Sequence, residues 1–237
     1  MIPLRDANPT RRTPVITFAL IAACFVVFGV ELWVEAQGGE EALSQFFQTW
    51  GAVPSRISAA LGGTGDVATA ATGVFASIFL HGGWEHLLGN MLFLWIFGNN
   101  IEDRLGRLPY LLFYLAGGIA AALAQVAIDP ASDIPLVGAS GAIAATLGAY
   151  ILLYPRARIL TLVFLVFFYQ LIEVPAVIIL AFWFVLQLID GVASLGAETA
   201  QGGVAFFAHI GGFVAGAVVG LLVRLTGRGR PPTFGRP

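Results

Sequence analysis

Long stretches of this chain carry no charged side chain: between Arg12 and Glu31, Arg107 and Asp129, Asp133 and Arg156, Glu173 and Asp190, and Glu198 and Arg224. Each is close to the ~20 apolar residues that an α-helix needs to cross a bilayer. A further helix is expected to begin at Trp84, just after His81-Gly82-Gly83, and to run to Glu102. A water-soluble globule is excluded. Of the 237 residues, 58% are hydrophobic and 11% charged, against about 45–50% and about 25% in ordinary soluble domains. A formal net charge of −2 offers nothing to a nucleic-acid partner. Cys24, the single cysteine, lies inside an apolar run, so neither a disulfide framework nor a cysteine metal cluster is expected.

Arginine placement orients the spans. Arg5, Arg11 and Arg12 precede the first, Arg104 and Arg107 join the second and third, and Arg156 and Arg158 join the fourth and fifth. Arg224, Arg228, Arg230 and Arg236 follow the sixth, leaving only Arg56 of the 12 basic residues for the other side. This positive-inside bias predicts six crossings with both termini cytoplasmic. Two shorter apolar runs, Val67–Leu80 and Ile159–Ile172, suit interfacial or re-entrant pieces, because a seventh crossing would scatter the arginines over both faces. The expected fold is an all-α, six-helix transmembrane bundle, since spanning folds are restricted to helices or closed barrels. Residues 1–13 are read as a cytoplasmic segment, 14–226 as the six-span domain and 227–237 as a flexible basic tail. A long external loop is expected over about residues 37–83.

Four polar residues stand where the bilayer makes them costly, and each is therefore a candidate for function. His86 and Asn90 lie four apart on one face of the second helix, Ser140 opens the fourth, and His209 opens the sixth. Spans two, four and six run in the same direction, so all four residues fall in one layer near the outer side. Small residues at four-residue spacing, Ala208, Gly212, Gly216 and Gly220 against Ser140, Ala144 and Gly148, predict close approach of spans four and six. That approach brings the Ser140 hydroxyl to the His209 imidazole.

A hydroxyl becomes a useful nucleophile when a base takes its proton, and the same base can later protonate a leaving amine. Ser140 sits at a helix start, where free N–H groups favour negative charge, and Asn90 and His86 add donors for an oxyanion. Asp129 and Asp133 are near enough in sequence to reach inward, yet nothing in their spacing argues it, so a Ser-His dyad is expected. A water-filled cavity lined by His81, His86 and Asn90 is expected to open outward. His81-Gly-Gly-Trp-Glu-His86 does not match a zinc-binding His-Glu-x-x-His, so no metal or other cofactor is expected. The competing reading is a small proton-coupled transporter or binding scaffold, in which the histidines relay protons and Ser140 only packs; it lacks the inverted repeats common in that class.

Taken together, His81-Gly-Gly-Trp-Glu-His86-Leu-Leu-Gly-Asn90, Glu102-Asp103-Arg104-Leu105-Gly106, Gly138-Ala139-Ser140-Gly141-Ala142 and Ala208-His209-Ile210-Gly211-Gly212 resemble, in order and spacing, the bacterial rhomboid intramembrane serine proteases. The resemblance implies Ser140 as nucleophile, His209 as its base, and His86, Asn90 and the Ser140 N–H as the oxyanion site. It gives His81, Glu102, Arg104, Gly138, Gly141 and Gly212 accessory or structural roles. It also implies single-span membrane proteins as substrates, cleaved near the outer face of the inner cell membrane. The fifth span becomes a lateral gate with Trp183 and Phe184 as its bulky residues. Where some members stack a tyrosine on the histidine this chain has Ala144, leaving Phe206 and Phe207 to support the ring.

Overall fold

The computed structural model describes residues 2–165, 168–194 and 205–227. Helix α1 spans Val15–Trp50 and bends at Gly39, whose φ of +68° favours glycine. Short helices α2 (Pro54–Leu61) and α3 (Val67–Ser77) follow, so most of the expected loop over 37–83 is helical. The second span is one rod in which α4 (Trp84–Phe93) continues through a single π-helical turn, Leu94–Gly98, into α5 (Asn99–Leu105). Gly106, with φ +86°, is the sole residue between α5 and α6 (Arg107–Ile128). The remaining helices are α7 (Ser140–Leu153), α8 (Ala176–Ser194) and α9 (Phe206–Leu225).

Four of these helices, α1, α6, α8 and α9, are each long and apolar enough to cross a membrane. The α4–α5 rod is of similar length. With a mostly helical chain and exposed apolar flanks, this is a multi-pass membrane protein. Helix α7 differs. Its 14 residues reach about 21 Å at 1.5 Å per residue, short of a hydrocarbon core of about 30 Å. Every residue from Gly141 to Tyr150 is buried, because α6, α9 and the π-helical turn surround it. A helix whose sides meet protein instead of lipid is not required to match the bilayer.

The all-α expectation needs one correction. Three strands, β1 (Ile2–Asp6), β2 (Arg158–Leu165) and β3 (Phe168–Pro175), form an antiparallel sheet in the order β1-β2-β3. The Ile159–Ile172 run thus forms most of a hairpin, consistent with its β-branched and aromatic content. The sheet covers the end of the bundle where α7 stops and α1 and α8 begin. Asp6 fixes β1 there, accepting from the Asn100 amide at 2.6 Å and from the Tyr150 hydroxyl. At the same end the buried Glu102 carboxylate accepts from the Ile16 and Thr17 N–H groups at 3.0 and 2.8 Å and from the Thr17 hydroxyl at 2.8 Å. Pro14 offers no side-chain cap to α1, so Glu102 satisfies two of the four free donors that every helix start carries. Of the expected basic tail, residues 228–237 lie outside the described residues.

Candidate active site

Ser140 is the first residue of α7, among the positions whose N–H lacks a partner within the helix. The approach to it is held from the first loop. Ala52 and Leu136 exchange both backbone hydrogen bonds, at 3.0 and 2.9 Å, and the Gly138 N–H donates to the Ser77 carbonyl at 2.9 Å. The Ser55 hydroxyl donates to Asp133 at 2.6 Å, so this carboxylate is tied to α2. Residues 52–77 therefore brace the segment that presents the serine. Gly138 has φ +131°, and a Cβ there would meet His86 Nε2 at 2.7 Å, so glycine alone lets this segment pass the ring.

Helices α7 and α9 meet backbone to backbone. A Cβ added at Gly212 would lie 2.2 Å from the Gly141 carbonyl oxygen, and one at Gly216 would lie 1.8 Å from that of Ala145. The α9 ridge is the expected one and meets Gly141, Ala145 and Ala149, while Gly148 of the expected α7 set meets the neighbouring α9 row, where a Cβ would lie 2.0 Å from the Phe213 carbonyl oxygen and 2.9 Å from the Ala217 nitrogen. Gly141 also faces α6, where a Cβ would meet that of Ala121 at 2.5 Å. The close packing sets Ser140 Oγ 2.7 Å from His209 Nε2 across 69 residues of sequence. On the far side of the ring, His209 Nδ1 lies 2.6 Å from Oε1 of Gln187 on α8. Sequence reasoning passed over Gln187, although it is the one amide or charged side chain between Glu173 and Asp190. The aromatic neighbour of His209 is Trp183, with ring centroids 5.9 Å apart, and not Phe206 or Phe207, which flank Gly191.

A cavity of about 590 Å³ opens in front of this pair, between α4 and α8. His86, Asn90, Ser140, Trp183 and His209 line it, with Phe93, Ile143 and Leu147 as apolar wall. The Gly82 N–H donates to His86 Nδ1 at 3.3 Å, so the neutral ring carries its proton on Nε2, beside Gly138. Asn90 Nδ2 is buried with no hydrogen-bond partner. A buried donor left unmatched costs about 1–3 kcal/mol, and a group formed only during a reaction would satisfy it.

His81 does not line the cavity as expected. It is buried behind His86, its ring edge-on to that imidazole at 5.3 Å. Its N–H donates to Glu31 of α1 at 3.0 Å, and its Nδ1–H to the Phe79 carbonyl at 3.1 Å. Burial, then the neighbouring His86, push the His81 imidazole down to about 4, keeping it a neutral prop for His86. Phe184 stacks on Phe213 of α9 at 4.5 Å. Arg104 is at the sheet end, with Nε and Nη1 buried and unpartnered. Among the described residues no group of three or more His, Cys, Asp or Glu side chains forms a metal site.

Comparison with known proteins adds the family context. The rhomboid domain model matches residues 68–226. Rhomboid protease GluP of Bacillus subtilis is 37% identical over 146 residues, 61% of this chain and 25% of that protein. Rhomboid protein 1, mitochondrial, of Saccharomyces cerevisiae is 34% identical over 103 residues, 42% of this chain and 30% of the relative. The putative rhomboid protease YdcA of Bacillus subtilis is 38% identical over 74 residues, 31% of this chain and 37% of its own length. The matched part therefore spans between a quarter and somewhat over a third of these relatives.

Proposed function

The chain belongs to the rhomboid family, and from that premise we propose that it is an intramembrane serine endopeptidase working through a Ser140–His209 dyad. One observation carries the reading: the 2.7 Å approach of Ser140 Oγ to His209 Nε2 at the wall of a cavity with an orphaned donor. His209 takes the hydroxyl proton as Ser140 Oγ bonds to the scissile carbonyl carbon. The oxygen then carries negative charge, and Asn90 Nδ2, His86 Nε2 and the Ser140 N–H donate to it. Collapse breaks the C–N bond as His209 returns the proton to the leaving amine. Water, activated by the same histidine, hydrolyses the acyl-enzyme, and no cofactor takes part.

The topology that goes with this reading has six crossings, with α7 as the short fourth, in the inner cell membrane. Both termini are cytoplasmic, since Arg5, Arg11, Arg12, Arg104, Arg107, Arg156, Arg158 and Arg224 gather at the sheet end. The dyad then lies toward the outer face, and the substrates are single-span membrane proteins. They enter past α8, where Trp183 forms the cavity wall and Phe184 ties the helix to α9.

The test is direct: a fluorophosphonate probe should label the wild-type protein in detergent at Ser140, and absence of that label would remove the proposal. Asn90 gives a graded check. Asn90→Ala should lower kcat by about 10²–10³, the usual effect of removing one oxyanion donor. KM should change little, because the donor acts mainly in the transition state. An unchanged kcat in a stable Asn90→Ala protein would make Asn90 a structural residue.

A further inference from the structure

We infer that Gln187 is a positioning residue for His209, holding the imidazole in the one tautomer that can accept the serine proton. The inference rests on the protease reading and deepens it. His209 has two ring nitrogens and two partners: Ser140 Oγ at Nε2, 2.7 Å away, and Gln187 Oε1 at Nδ1, 2.6 Å away. A neutral imidazole has one N–H and one lone pair. With the amide oxygen facing Nδ1, the proton is fixed on Nδ1 and the lone pair on Nε2 is turned to the serine. The other tautomer would place a proton on Nε2 and a lone pair on Nδ1 against the lone pairs of Oε1. It would have no basic nitrogen to offer Ser140.

Among the described residues one other amide comes close, Gln125 of α6, and its Oε1 is engaged by the Ala208 N–H at 3.2 Å. Between the charges that bound them, α6 and α7 carry none in their interiors, and Arg224 is at the far end of α9. The ionisable groups that share the cavity with His209 are Glu85 and His86 of α4, on the serine side. Asp190, the charged residue on α8, is three positions beyond Gln187. Asp129 and Asp133 belong to the braced loop. A neutral acceptor also suits the setting, since an unpaired carboxylate at this depth would be costly. In the orientation that sets Oε1 against Nδ1, Gln187 selects the tautomer without carrying charge into the bilayer. Trp183, one turn earlier on α8, restrains the same ring. One helix therefore controls both the tilt and the protonation pattern of the base.

Two variants test this. Gln187→Met keeps the length and bulk of the side chain but has no strong acceptor, whereas Gln187→Glu keeps an acceptor oxygen. Gln187→Met is expected to lower kcat by about 10- to 100-fold through misorientation of the base, with KM within about twofold and thermal stability near wild type. Gln187→Glu is expected to recover at least most of that loss. A readout independent of turnover is the ring nitrogen spectrum of ¹⁵N-histidine-labelled protein, with His209→Ala used for assignment. The wild type and Gln187→Glu should show His209 protonated at Nδ1, and Gln187→Met a mixture of tautomers. An unchanged kcat and unchanged His209 nitrogen signals in Gln187→Met would overturn the inference and leave Gln187 a packing residue. Failure of the protease reading has a different signature: no fluorophosphonate label on the wild-type protein, while the nitrogen spectrum still reports whether Gln187 sets the tautomer.

Discussion

Ser140→Ala and His209→Ala are each expected to reduce cleavage of a single-span model substrate by a factor on the order of 10⁶, as when either member of a nucleophile–base pair is removed. The two losses should not add. Without the hydroxyl the imidazole has nothing to activate, and without the imidazole the hydroxyl keeps its proton, so the double variant should be no worse than either single one. Both variants should fold. Ser140 Oγ and the His209 ring line an open cavity, and the α7–α9 contact is made by glycines and alanines below them. The measurement is single-turnover cleavage in detergent beside thermal unfolding of each variant. Cleavage by the Ser140→Ala protein within tenfold of wild type would refute the nucleophile assignment.

The largest effect on stability is expected at Gly216. A Cβ there would lie 1.8 Å from the Ala145 carbonyl oxygen and 2.6 Å from its Cα. Both are backbone atoms of a buried helix, so no side chain can swing aside. Gly216→Val must push α9 away from α7 by an ångström or more along the tightest contact in the bundle. Overpacked cores ordinarily lose about 1–3 kcal/mol, and this site, rigid on both sides, should lose at least the upper figure. Activity should fall with stability, because His209 sits on the same helix two turns away and its 2.7 Å contact with Ser140 opens as the helices part. Gly29→Ala is the matching control. A Cβ at Gly29 meets nothing within 4 Å, so alanine there should stabilise α1 by about 0.5–1 kcal/mol. Equilibrium unfolding in mixed micelles distinguishes the two. A Gly216→Val protein as stable as wild type would show that α7 and α9 do not pack as described.

What the sequence made legible, and what it did not, follows from how far each signal reaches. Charges bound membrane helices from outside, so the helices of the spans could be located from Arg12, Glu31, Arg107 and their counterparts. The approach of Ser140 to His209 was legible because four-residue spacing of small side chains implies helix contact, although Gly212, Gly216 and Gly220 face Gly141, Ala145 and Ala149 and Gly148 faces Phe213 and Ala217 instead. Periodicity cannot distinguish a strand from a buried helix in an unbroken apolar run, and the β2–β3 hairpin was missed for that reason. The bend at Gly39 depends on a single dihedral, and the extension of α1 beyond it was missed too. Gln187 was overlooked for a different cause. A carboxylate announces itself in an apolar span by its charge, whereas an amide can orient the same ring without one.

The candidate site draws on four separate helices, and its base stands on α9, downstream of all the others. A membrane protein is made and inserted from its N-terminus onward. Between the synthesis of α7 and that of α9, Ser140 stands without the His209 imidazole, and on the proposed reading its hydroxyl is then unactivated. On the proposed reading, competence comes only when the glycines of α9 pack against α7. If Ser140 and His209 form the proposed dyad, a chain stalled or truncated before that point would be harmless to its neighbours, since the serine would lack its base.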